Sequence, residues 1–183
     1  MYGLINNSLK SMILKRLGED QWQKALSISG VSEDSFLTMR NYDDSITYSL
    51  ADAASDVLGV PVEVCLEMLG EYWVLETATE SYNMLLNATG QEMIGFLGNM
   101  NALHDRMTSI FLNYTPPEFF VETKGNHHLV HYVSQRQGLT PFAAGLLKGL
   151  AKRFNSKLTI LSQSEVSVDH GEHTIFEVEI VTL

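Results

Sequence analysis

Residues 115–136 read TPPEFFVETKGNHHLVHYVSQR, and the chain changes character across them. Everything upstream repeats its apolar residues at helical spacing. Pro116 and Pro117 interrupt that pattern, because proline removes a backbone donor and biases the residue before it away from helix. FFVET and LVHYVS follow, rich in β-branched and aromatic residues. They predict two antiparallel strands around the turn KGNHH. The second strand runs into YVSQR at 132–136. Side chains of a strand alternate between faces, so Tyr132, Ser134 and Arg136 share one face. Two hydroxyls and a guanidinium converging there point to an anionic ligand.

Working outward, the upstream two-thirds predicts helices. Leu4, Ile5, Leu9, Met12, Ile13 and Leu17 recur at helical spacing, with Gly18 as a stop. Asp20 opens a short helix with Trp22, Ala25 and Leu26, and SEDSFL reads as another cap and start. YDDSITYSLADAASDVLG turns Ile46, Leu50, Ala53, Ala54, Val57 and Leu58 inward and ends at Gly59. A helix from PVEVCLEMLGEYWVLETA begins with a proline in its first turn. ATESYNMLLNATG and QEMIGFLGNMNALHDRMTSIF add two more, the latter with Ile94, Leu97, Ala102 and Leu103 on its apolar side. Downstream, LTPFAAGLLKGLAKRFN predicts a helix, and KLTILSQSEV and HTIFEVEIVTL two further strands. The expectation is one α+β domain over residues 1–183. Its helical part covers about 1–112 and its α/β part about 113–183, with a four-stranded antiparallel sheet.

Bulk properties narrow the function. A chain of 183 residues with 45% hydrophobic content can bury a real core. Its net charge of −10 lacks the basic footprint of nucleic-acid binding and disfavours an anionic membrane surface. No stretch approaches the roughly 18 apolar residues of a membrane span. Asn6, Asn7, Ser8 and Lys10 break the first apolar run, unlike a signal peptide. The single cysteine, Cys65, permits no disulfide within the chain and fits a reducing compartment. A cytoplasmic protein is expected.

Few residues carry chemistry. His104, in NALHDRM, reads either as a hydrogen-bonded core imidazole or as an axial metal or haem ligand. Arg136 reads either as a solvated strand-end charge or as a bidentate partner for a carboxylate, with Tyr132 and Ser134 donating beside it. The sharper pair of readings explain each other. One histidine would hold an iron, one polar triplet would hold two propionates, and apolar helices would cover a macrocycle. His127, His128 and His131, and separately His170 and His173, cluster at predicted turns, where solvation explains them as well as zinc does. Glu19–Asp20 and Asp43–Asp44 stand at helix starts, where capping explains acids. No catalytic triad, carboxylate pair or phosphate loop has useful spacing, so an enzyme is not expected.

MYGLIN at 1–6, GEYWV at 70–74, ALHDR at 102–106, TPP at 115–117 and the Y-x-S-x-R of YVSQR together resemble the H-NOX family of haem–nitric oxide/oxygen binding domains. That family includes the haem domain of the soluble guanylate cyclase β subunit, and the resemblance covers essentially the whole chain. It implies haem b, bound non-covalently between a helical part and a four-stranded sheet. It implies His104 as the axial iron ligand and Tyr132, Ser134 and Arg136 as propionate contacts. Pro117 matches a proline that bends the porphyrin. Ile5, Trp73 and Leu146 fall at haem-pocket positions, Trp73 on the distal side.

The resemblance also frames the choice of gas. Its O₂-binding members place a tyrosine donor on the helix after Y-x-S-x-R, where a buried hydrogen bond is worth roughly 1–3 kcal/mol. QGLTPFAAGLLKGLAKRF has no tyrosine; Leu139, Pro141, Phe142, Leu146 and Leu147 fill that helix. An NO sensor that leaves O₂ weakly bound or unbound is therefore expected, with CO as a further ligand. Tyr2, Tyr72 and Trp73 are the other side chains that could reach the distal face. NO binding is expected to weaken the bond to His104, free its helix and let the macrocycle relax against Pro117 and Ile5. The resemblance points to a separate partner, a signalling histidine kinase or a cyclic-di-GMP enzyme. The competing expectations are an O₂-binding or redox haem protein and a haem-free interaction module. Some relatives sense oxidants at a cysteine-rich zinc site near the C-terminus; His170 and His173 stand there without cysteine.

Overall fold

The computed structural model describes residues 1–110 and 113–183. Helices α1 (Gly3–Leu17), α2 (Glu19–Ser29), α3 (Asp44–Leu58), α4 (Val62–Tyr72), α5 (Thr79–Thr89) and α6 (Met93–Thr108) precede strands β1 (Glu118–Lys124) and β2 (His127–Ser134). Helix α7 (Thr140–Arg153) and strands β3 (Ser156–Val166) and β4 (Glu172–Thr182) complete the chain. The architecture is the expected α+β. Phe111, expected in the last residues of α6, lies outside the described residues, as does the boundary expected at 112.

The sheet has the order β1-β2-β4-β3, antiparallel throughout. The β1–β2 turn is tighter than the sequence suggests. Only Gly125 and Asn126 form it, with Gly125 at φ 62°. His127 and His128 therefore stand in β2 rather than in a turn. Phe119, Val130, Tyr132, Phe176 and Val178 are buried on the inner face.

Two cores share the helical part. Leu9, Met12, Ile13, Trp22, Leu50 and Leu69 fill one among α1–α4, and buried Cys65 sits within it. Burial pushes the Cys65 thiol up to about 11, which keeps it protonated and unreactive. The second core joins α6 and α7 to the sheet. On α6 the inward residues are Met93, Phe96, Leu97 and Leu103, with Ile94 half-buried. Ala102 faces solvent instead of the core, because the stripe 93-96-97-100-103 leaves it on the far side.

Two features set where α7 lies. It crosses α4 at glycines: a Cβ on Gly145 would stand 2.0 Å from the Glu67 carbonyl oxygen, and one on Gly70 would stand 2.1 Å from that of Phe142. Backbones approach this closely only without side chains. Lys148–Glu67 and Lys152–Glu71 ion pairs, each 2.6 Å, flank the crossing. The second feature was not foreseen from sequence. Between α4 and α5 the chain makes a π-helical turn, Trp73–Ala78, rather than starting a fresh helix. Such turns recur at functional sites. At its end Thr79 Oγ1 donates to the Val74 carbonyl (2.8 Å), and Arg153 of α7 donates to Thr79, Asn83 and Asn87.

Candidate cofactor site

A cavity of about 260 Å³ opens between the helices and the sheet. Packed interiors leave few voids larger than a water, so a cavity of this size marks a ligand site. One wall comes from α6 (Met100, Leu103, His104, Met107), the segment 113–117 and Phe119 of β1. The other comes from Ile5 of α1, Trp73 and Val74 of the π turn, and Phe142, Leu146 and Leu147 of α7. Tyr132, Ser134 and Arg136 line the polar end. All eight residues singled out from sequence, Ile5, Trp73, His104, Pro117, Tyr132, Ser134, Arg136 and Leu146, line this one cavity.

His104 points into it from α6. Its Nδ1 lies 2.9 Å from the Pro117 carbonyl oxygen. Burial lowers the imidazole below its usual range, against the opposing pull of that hydrogen bond and of Asp105. A neutral ring whose Nδ1–H donates to a carbonyl presents its Nε2 lone pair, the form a metal binds. Asn101, one turn earlier, clasps β1: its Nδ2 donates to the Phe119 carbonyl (2.9 Å) and its Oδ1 accepts from the Phe119 N–H (2.8 Å). The helix carrying His104 is thus tied twice to the entry of the sheet.

At the polar end Tyr132 and Ser134 belong to β2, as expected. Arg136 lies two residues past the strand, not in it. A local bond places it: the Arg136 N–H donates to Ser134 Oγ (3.0 Å). Its Nε donates to Asp44 Oδ2 at 2.9 Å and its Nη1 to the Thr115 carbonyl at 2.8 Å. The α-amino group of Met1 also pairs with Asp44 and donates to the Tyr42 carbonyl (2.6 Å). Asp44 therefore does more than cap a helix. Asp43 is the cap of α3, accepting from the Ser45 N–H (2.9 Å), while Asp44 orients the arginine from 92 residues away. Burial raises the Tyr132 hydroxyl far above its ordinary range, so it is a donor at any working pH.

Aromatic rings gather on the His104 side. Tyr114 stands edge-on to His104 at 6.1 Å, and Tyr2 edge-on to Tyr114 at 5.8 Å. Burial, with Tyr2 and Tyr82 beside it, pushes the Tyr114 hydroxyl up to about 12. Tyr2 thus belongs with His104. Tyr72 is not on the cavity; it lies at a separate small depression with Glu76 and Ser8. Nor is Pro141, which occupies the first turn of α7.

The histidine clusters resolve differently. His131 Nδ1 and His173 Nε2 are 3.0 Å apart on neighbouring strands. Among the described residues no three His, Cys, Asp or Glu side chains gather as a metal site. No described helix is long and apolar enough to cross a membrane.

One neutral imidazole, two apolar walls and a cationic end with hydroxyl donors fit haem, which needs an axial ligand, dry faces and partners for two carboxylates. The model of the Haem-NO-binding family matches residues 2–162. Soluble guanylate cyclase gcy-32 of Caenorhabditis elegans is 30% identical over 189 residues, covering 96% of this chain and 28% of that protein. Soluble guanylate cyclase gcy-31 of the same organism is 25% identical over 185 residues, with 100% and 26% coverage. The chain spans about a quarter of the length of these relatives. An H-NOX protein from S. oneidensis, solved in an Fe(II)NO ligation state, superposes with TM-score 0.82 at 20% identity, covering 98% of this chain and 99% of that one. An unliganded Fe(II) H-NOX protein from K. algicida superposes with TM-score 0.82 at 23% identity, with 100% and 98% coverage.

Proposed function

The chain belongs to the Haem-NO-binding (H-NOX) family, and from that membership we propose that it is a cytoplasmic, NO-selective sensor regulating a separate signalling protein. The family is one of haem-binding gas-sensor domains. Haem b, bound non-covalently, would supply a ferrous iron that binds a diatomic gas, with His104 as the side chain that would hold that iron.

The residues divide that task. His104 offers Nε2 while Pro117 holds its Nδ1–H. Arg136, braced by Asp44 and Thr115, keeps Nη2 to meet a propionate beside the Tyr132 and Ser134 hydroxyls. Pro117, Ile5 and Leu146 line the cavity and would bear on a bound macrocycle.

The observation that carries NO selectivity is the wall made by α1, the π turn and α7. Ile5, Val74, Phe142, Leu146 and Leu147 are hydrocarbon. O₂ depends on a buried donor worth roughly 1–3 kcal/mol, whereas NO does not. Tyr2 and Tyr114 stand with His104, Tyr132 and Ser134 form the triplet, and Tyr82 lines the cavity from α5. Trp73 and Tyr82, donor-bearing side chains that line the cavity, favour the alternative, an O₂-binding or redox haem protein. CO, which needs no donor, is a further ligand. The partner is a histidine kinase or a cyclic-di-GMP enzyme, and this domain performs no catalysis itself.

Signalling runs through α6. Were a bond from His104 to the iron released, the Pro117 carbonyl would still hold the imidazole and Asn101 would still tie α6 to β1. A ligand shifts such an equilibrium only by its differential affinity for the two states. The test is amide exchange along α6 in the haem-loaded protein. NO should accelerate it in the wild type. In His104→Gly supplied with imidazole, NO should leave it unchanged, because the axial bond no longer tethers the helix. Equal acceleration in both proteins would refute the lever.

A further inference from the structure

Helix α6 meets the entry of the sheet along two rungs. Asn101 Nδ2 donates to the Phe119 carbonyl (2.9 Å), and its Oδ1 accepts from the Phe119 N–H (2.8 Å). One turn further along α6, His104 Nδ1 donates to the Pro117 carbonyl (2.9 Å). The rungs run in opposite directions: the later helix residue meets the earlier strand-side residue. β1 is an edge strand, and Phe119 stands opposite Tyr132 of β2. Opposed residues of an antiparallel pair alternate between exchanging both backbone bonds with each other and exchanging neither. Both backbone groups of Phe119 go to Asn101, so Phe119–Tyr132 is a pair of the second kind. The Asn101 amide thus stands in for a further strand at the open edge. The Phe119 side chain is buried, and its ring centroid lies 5.6 Å from that of Tyr132. Phe119 is therefore held by its backbone from α6 and by its ring from the sheet.

Pro117 lies two residues before this fixed point. Neither Pro116 nor Pro117 has a backbone N–H, so the pair cannot anchor itself by donating. A carbonyl only accepts, so the Pro117 bond requires the His104 proton on Nδ1 and leaves Nε2 as the lone pair. Outer bonds of this kind set the tautomer, orientation and basicity of an imidazole ligand. We propose that Asn101 is a positioning residue for the axial ligand: by clasping Phe119 it fixes the Pro117 carbonyl against His104 Nδ1, and so sets the tautomer and donor strength of the imidazole. This rests on the reading of His104 as the haem ligand. The role differs from general anchoring of α6. Asn99 supplies such an anchor elsewhere on the helix, where its Nδ2 donates to the Thr89 carbonyl of α5 (2.8 Å).

The test compares the full chain as wild type, Asn101→Leu, Asn101→Asp and Asn99→Leu. Nitrogen-15 NMR of the His104 imidazole in the haem-free chain reads where its proton sits. Wild type and Asn99→Leu should hold it on Nδ1. Asn101→Leu loses both bonds to Phe119, and its signals should move toward the averaged pattern of a free imidazole. Asn101→Asp keeps an acceptor for the Phe119 N–H but sets a carboxylate oxygen against the Phe119 carbonyl, and should fall between. In the haem-loaded chain, release to an excess of apo-globin should be about tenfold faster in Asn101→Leu, the low end of the roughly 10- to 100-fold effect of losing an outer partner. Its iron–His104 stretching band should move to lower frequency. Asn99→Leu should match wild type in both. A wild-type imidazole pattern in Asn101→Leu, or the same change in Asn99→Leu, would overturn the role of Asn101. Should Asn101→Leu not fold, Asn101→Asp decides by the same signals, and a wild-type pattern there overturns the proposal. The reading of His104 fails separately: a His104→Gly protein with the wild-type haem spectrum and no added imidazole would overturn it.

Discussion

Replacing Gly145 with alanine puts a methyl carbon 2.0 Å from the Glu67 carbonyl oxygen and 3.0 Å from the Glu71 nitrogen. Both neighbours are backbone, so no side chain can swing away. Restoring ordinary contact requires α4 and α7 to part by about 1.4 Å. Overpacking of this kind costs about 1–3 kcal/mol, or more where backbones must move. Against this, alanine gains up to about 1 kcal/mol of helix propensity over glycine. The net expectation is a loss of about 1–2 kcal/mol, seen as a Tm lower by roughly 2–8 °C for a chain of this size. Gly95→Ala is the matched control. It is the same substitution inside α6, where nothing lies within 4 Å of the new carbon. There propensity acts alone, and stability should rise by about 0.5–1 kcal/mol. Urea and thermal unfolding of both variants measure the contrast. A Gly145→Ala protein as stable as wild type would refute the close crossing and, with it, the placement of the α7 wall.

Two further outcomes follow from the site. Burial keeps His104 below its usual range of about 6.5 in the folded chain. Its contribution to stability is therefore present above the unfolded value and lost as pH falls through the lowered folded one. Urea unfolding of the haem-free protein between pH 7 and 5 should show this acid loss, and a His104→Leu variant should lack that component. Phe142→Tyr would add a hydroxyl to the hydrocarbon wall; O₂ affinity should rise about 5- to 150-fold, the equivalent of a buried hydrogen bond, as read by oxygen titration.

Much of this was legible because it is periodic. The 3.6-residue stripe on α6 marks its inner face, and the alternation of Tyr132 and Ser134 marks the inner face of β2. What stayed hidden depends on partners distant in sequence. Asp44 reads as a capping acid, since Asp43 beside it caps α3 and nothing local announces Arg136. The π turn at Trp73–Ala78 has no residue signature, because its widened hydrogen bonding reflects packing against α7 rather than propensity. His127 and His128 read as turn residues because their polarity disguises the start of β2. The sequence draws attention to the ring of Pro117, whereas in the fold its carbonyl holds His104.

The central claim is tested most directly by the absorption spectrum of the purified ferrous protein under argon, then air, then NO. The account predicts a five-coordinate deoxy spectrum with His104 as axial ligand, unchanged by air and converted by NO. A stable oxygenated spectrum in air would contradict NO selectivity and require a donor to the bound gas. No haem band after haem is supplied would contradict the site itself.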